Sequence, residues 1–166
     1  MKQNNEGLSL FSLTTRGLKN EFFKAFKEEN CNDIDEFKVS LLQNAISDEE
    51  YDIAKFLIEK ECNLDNQDDR GYTALHYILG SRDEANYKLF DDLIEKNVNL
   101  ELVDDEYGNS PLMEAVLNPK IPLSMIQKLL EKGADPHHKN NVDKSPYDLV
   151  QQYNIKELNE IFAPYV

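Results

Sequence analysis

The chain has 166 residues, 40% of them hydrophobic and 30% charged, enough for one folded unit with its own apolar core. Its 32 acidic residues outnumber 18 basic ones and leave a net charge of -14, which repels nucleic-acid phosphates and anionic lipid. Nucleic acid and membrane surfaces are therefore excluded as expected partners, and no apolar run approaches the roughly 20 residues of a membrane helix.

Residues 1–34 carry one predicted helix, 18–29, whose Leu18, Phe22, Phe23 and Phe26 suit an N-terminal helical cap. Where a secretory signal would hold its apolar segment the chain has Asn4, Asn5, Glu6 and Gly7, so a cytoplasmic location is expected. Cys31 and Cys62 are too distant for a CxxC pair and too few for a disulfide framework. They read as idle thiols of a reducing compartment.

From residue 35 onward the chain repeats itself. Asp68-Asp69-Arg70-Gly71-Tyr72-Thr73-Ala74-Leu75-His76 returns as Asp105-Glu106-Tyr107-Gly108-Asn109-Ser110-Pro111-Leu112-Met113, and again more loosely around Ser145-Pro146-Tyr147. A second block, Leu57-Ile58-Glu59-Lys60, recurs as Leu93-Ile94-Glu95-Lys96 and Leu129-Leu130-Glu131-Lys132, each 36 residues after the last. A period of this size predicts stacked units. Thr73, Ser110 and Ser145 can each N-cap a short helix, with Pro111 and Pro146 at the first helical position, where a missing N–H costs nothing. Second helices follow, with apolar residues at helical spacing in Ile53, Phe56, Leu57; Phe90, Leu93, Ile94; Ile126, Leu129, Leu130; and Ile155, Leu158, Ile161, Phe162. Extra residues around Arg82 to Ala85 and Asn118 to Pro122 map to loops between helices.

These residues resemble the ankyrin repeat, with units at 35–67, 68–104 and 105–139 and a C-terminal capping repeat at 140–166. The resemblance implies an all-α solenoid of stacked helix-turn-helix units joined by hairpin-like loops. It makes His76 a structural residue and implies a protein partner held on the concave side, by the hairpin tips and the exposed side of the first helices. Carried onto this sequence, the partner-binding candidates are Asp69, Arg70, Tyr72, Asp104, Glu106, Tyr107 and Asn109 at the tips, with Ser81, Leu117 and Asn118 from the helices. Tyr72 and Tyr107 are the best anchors, since aromatic residues amid polar ones are how binding hot spots look.

No phosphate-binding glycine loop, nucleophile elbow or zinc-protease motif is present, so no enzymatic activity and no cofactor are expected. His137-His138 lacks a third ligand nearby, and the acidic run at 65–71 fails as a calcium loop because Arg70 and Tyr77 fall at ligand positions. Charge is unevenly spread. Residues 35–67 hold 9 acidic and 3 basic side chains, and residues 68–104 hold 9 and 4, so most of the excess lies on two repeats. The expected function is a monomeric protein-protein interaction module with a basic partner on an acidic concave face. The alternative is a dedicated immunity protein that neutralises a cationic toxin.

Overall fold

A computed structural model describes residues 7–81 and 84–165; the amino-terminal residues 1–6, Arg82 and Asp83 of the expected insertion, and Val166 lie outside the described residues. The described chain is helical, with α1 Leu10–Thr15, α2 Lys19–Ala25, α3 Leu41–Ser47, α4 Tyr51–Glu59, α5 Ala74–Gly80, α6 Lys88–Ile94, α7 Pro111–Leu117, α8 Leu123–Glu131, α9 Pro146–Tyr153 and α10 Lys156–Phe162. No strand forms among the described residues beyond an isolated bridge between Ile34 and Ser40.

The helices work in consecutive pairs. The first members stack on one another from α1 through α3, α5 and α7 to α9, while α2 packs on α4, α4 on α6, and α8 on α10. No pair could bury its apolar face alone, and stacking merges them into one continuous core. Leu41, Leu57, Leu75, Leu93, Leu112, Leu129 and Phe162 are all buried in it. Ion pairs bind neighbouring second helices across the solvent side: Lys19 to Asp52, Lys55 to Asp92, and Lys128 to both Asp91 and Glu95. Each is exposed and worth little alone. Together they show that several acidic residues of the two charge-rich repeats are engaged laterally.

Each first helix starts in the same way. Ser9, Ser40, Thr73, Ser110 and Ser145 are N-caps whose side-chain oxygens accept from the backbone N–H three residues on. The expected helix over 18–29 is present as α2 but ends at Ala25, with a 3-10 turn at Glu28–Asn30, and the recurrence at Ser9 adds an unexpected helix, α1, separated from α2 at Gly17, whose φ of +65° lies in the left-handed region. Phe22 is the buried residue of α2, stacked with Phe26, and Phe26 and Phe23 meet Phe56 of α4 edge-on.

The cysteines also differ from expectation. Cys31 and Cys62 form a disulfide with Cα atoms 5.0 Å apart, 31 residues apart in sequence. The reason is the stack itself, which places residues about one repeat apart side by side. Asn63 accordingly donates its N–H to the Asn32 side chain at 2.7 Å, just beyond the bridge.

Candidate functional site

The hairpin tips are built on a recurring acidic or amide side chain. Asp35 Oδ1 accepts from the N–H groups of Phe37 and Val39, Asp68 Oδ1 from those of Arg70 and Tyr72, and Asn140 Oδ1 from those of Val142 and Lys144. Asp104 uses both oxygens, Oδ1 for Glu106 and Tyr107 and Oδ2 for Asn109, because its loop is one residue longer. The tips then link across repeats: Asp69 N–H donates to Phe37, Asp105 to Arg70 and Asn141 to Tyr107. Gly71, at φ +79°, permits this approach, since a Cβ there would lie 2.8 Å from the Asp105 nitrogen.

This geometry sorts the candidates. Asp104 and Asn109, expected at exposed tips, are buried, because the carboxylate must reach inward to the amides it holds. Asp69, Arg70, Glu106, Tyr107 and Leu117 are exposed. Tyr72 is half-buried, stacked on His76 with Arg70 over its other neighbourhood at 4.9 Å from the ring centroid. Arg70 is itself committed, donating to Asp68 at 2.9 Å and to the Tyr77 hydroxyl at 3.0 Å. Burial pushes the Asp68 carboxyl up, but Arg70, the two amides and the Tyr77 hydroxyl outweigh it and hold the group below the usual carboxylate range. Burial and the adjacent Asp68 push the Tyr77 phenol up to about 12. Asn118 is a clamp, donating to the carbonyls of Leu79 at 2.8 Å and Ser81 at 2.7 Å.

His76 performs the structural task expected of it. Its Nδ1 accepts from the Thr73 N–H at 3.2 Å and its Nε2 lies 3.2 Å from the Asn109 carbonyl in the next repeat, which assigns the proton to Nε2. Gln43 does the same one repeat earlier, its Oε1 accepting from Ser40 and its Nε2 donating to Tyr72. Burial lowers the His76 pKa from 6.5, so below that value the unfolded chain binds more protons and stability falls with pH. We expect His76→Gln, which copies the Gln43 bonds without a titrating group, to stay within about 1 kcal/mol of wild type near neutrality and to flatten the stability profile below about pH 6.5. Urea melts across that range check this, and an unflattened profile would assign the slope to other groups.

On the first-helix side, Arg70, Tyr72 and Ser81 converge with Ile46, Ser47, Glu49, His76, Tyr77, Gly80, Asn86 and Glu114 around an open cavity of about 400 Å³. Leu117 and Asn118 line a smaller adjoining hollow that shares Gly80 and Glu114. Asp69, Asp104, Glu106, Tyr107 and Asn109 line neither. Glu114 and Asn86 were not singled out from the sequence, although a carboxylate within the apolar run of α7 was a visible signal. Burial pushes the Glu114 carboxyl up, opposed by the Asn109 amide at 3.3 Å and reinforced by the Asp104 charge. Among the described residues no group of three or more His, Cys, Asp or Glu side chains could hold a metal ion, and no helix is long and apolar enough to cross a membrane.

Helix pairs stacked in register, a Thr or Ser cap on each first helix and side-chain-built hairpins define a repeat solenoid of the helix-turn-helix class. The ankyrin repeat family in its three-copy form matches residues 11–98, and a further ankyrin repeat matches residues 107–141. The chain belongs to the ankyrin-repeat family. It is 31% identical over 99 residues to an ankyrin repeat protein of Rickettsia bellii (strain RML369-C), an alignment that covers 58% of this chain and 27% of that protein. The three-copy match begins inside α1, in keeping with the repeat-like pairing of α1 and α2. Ankyrin repeats generally serve protein-protein interaction.

Proposed function

We propose that the chain binds a basic protein partner on its concave side, through the first-helix groove around Gly80 and the exposed tip residues Asp69, Glu106 and Tyr107. The observation that carries this reading is the groove: an open hollow faced by Glu49 and Glu114, beside the exposed Leu117, on the side that the lateral ion pairs leave unoccupied. A predominantly acidic, partly apolar surface of this kind, whose Arg70 is paired with Asp68, speeds association with a cationic partner and discourages others. Binding of a single cationic toxin by an immunity protein is a narrower form of the same reading.

Chemical cross-linking in cells of the source organism, followed by affinity measurement on the purified partner, tests it. Leu117→Asp and Tyr107→Ala are each expected to weaken binding by about 30-fold if they are hot spots, chiefly through faster dissociation. Asp69→Lys with Glu106→Lys is expected to slow association about 10-fold or more at low salt. Affinity unchanged in all of these variants would move the interface off this side of the solenoid.

A further inference from the structure

The cavity beside Gly80 combines three features that the solenoid itself does not use. Glu114 is partly buried in its wall; among the described residues it accepts only the long Asn109 amide bond, and no Lys or Arg reaches it. Asn86 is 5% exposed and also lines the wall; its amide nitrogen donates to Ser81 at 2.9 Å, while its buried Oδ1 has no hydrogen-bond partner. A buried acceptor left empty is costly, and because Asn86 lines the hollow, a small rotation that brings its Oδ1 to the surface lets a ligand donor compensate the cost. Glu49 adds a second carboxylate at the mouth. Among the described residues, the cation that lines the wall, Arg70, is already neutralised by the fully buried carboxylate of Asp68.

We propose that this cavity receives the guanidinium of an arginine side chain presented by the partner, with Glu114 as its counter-ion and Asn86 Oδ1 as a further acceptor. The inference rests on the reading of this groove as the partner-binding site and names the chemistry it selects. A guanidinium fits better than an ammonium because its planar fork of donors satisfies a carboxylate and a separate amide oxygen at once, and because it is more weakly hydrated. Gly80 keeps the floor open. Its φ is not in the left-handed region, and a Cβ would meet only the Glu114 carboxylate at 3.7 Å, so a larger side chain fills the space without backbone strain.

The test is a nitrogen-15 NMR titration of the intact chain with the peptide acetyl-Gly-Arg-Gly-amide. The same peptide with citrulline is the neutral isostere, and that with lysine is the charge control. The expected result is a saturable shift centred on the Asn86 side-chain amide and the backbone of Gly80 and Glu114. Affinity should be at least about 10-fold weaker for citrulline, and lower for lysine than for arginine. Glu114→Gln is expected to reduce the arginine affinity to the citrulline level, and Gly80→Leu to abolish binding while thermal stability is kept. Equal shifts with arginine and citrulline, shifts centred on Asp69 and Glu106 instead, or full binding by Gly80→Leu would each overturn the assignment. If Gly80→Leu nevertheless disrupts the complex with the cross-linked partner, the groove is the interface and only the arginine pocket fails.

Discussion

Replacing Asp104 with alanine is expected to cost about 3 kcal/mol or more, the largest loss of any single tip residue, because it leaves the N–H groups of Glu106, Tyr107 and Asn109 without their acceptor. Those bonds run at 2.9, 2.6 and 2.7 Å to a carboxylate that is 2% exposed, so water cannot substitute freely for it. Asp104→Asn should cost less. If the amide oxygen keeps the Glu106 and Tyr107 bonds, its NH2 then meets the Asn109 N–H, donor against donor. The fourth hairpin shows why asparagine is nonetheless suitable elsewhere: Asn140 satisfies both of its loop amides with Oδ1 alone and spends Nδ2 on Asn109 Oδ1. Glu106→Lys, two residues away and exposed, should stay within about 0.5 kcal/mol of wild type. Urea denaturation of the three variants reads the order directly. An Asp104→Ala protein as stable as Glu106→Lys would mean that the hairpin amides are satisfied by solvent.

The contrast between Asp104 and Glu106 shows what the sequence could and could not convey. The capping Thr and Ser residues, the Pro at the next position and the spaced leucines act through local geometry, and local geometry is written in adjacent residues; helices α3 to α10 follow from them. Whether an acidic residue at a tip faces solvent or its own backbone depends on loop length. Asp68 and Asp104 differ from Asp69 and Glu106 by position in a turn, with no difference in chemical type. Counting charges per repeat therefore overstated the free acidic surface, because Asp35, Asp68 and Asp104 are spent on hairpins and Asp52, Asp91, Asp92 and Glu95 on lateral pairs. The groove was half legible. Gly80, Ser81 and Leu117 fall at repeat positions that face it, whereas Asn86 follows the extra residues between α5 and α6, whose number differs from unit to unit and so does not predict its placement. At the amino-terminal end the repeat was diluted past recognition: Ser9 caps α1 as the other N-caps do, but Ser12 stands where they are followed by Gln43, His76, Met113 and Asp148.

That dilution is why the disulfide was missed, and its removal is the second large effect expected. Once α1 and α2 are seen as a helix pair, Cys31 and Cys62 stand at equivalent points of successive units, and the bridge ties the amino-terminal pair to the α3–α4 pair through a closure of 31 residues. Loop-closure entropy for that length predicts about 4 kcal/mol of stabilisation relative to the reduced chain. In a stacked array the loss falls first on the terminal unit, which contacts only one neighbour. Phe22, Phe23, Phe26 and Phe56 still pack without the bridge, so the reduced protein should keep α3 to α10 and fray at α1 and α2. Hydrogen exchange is the discriminating measurement: in Cys31→Ser with Cys62→Ser, amides of 10–25 should exchange at least about 100-fold faster, while those of α5 and α7 change little. Unaltered protection of α1 and α2 would show that aromatic packing alone holds the end of the stack. The bond also removes the ground on which idle thiols pointed to a reducing compartment, because structural disulfides persist where the surroundings are oxidising. Alkylation of the protein in intact source cells, before lysis, reads that directly: two protected cysteines are the outcome expected of a bridged native state, and two alkylated ones would mean that the chain works with its amino-terminal pair unpinned.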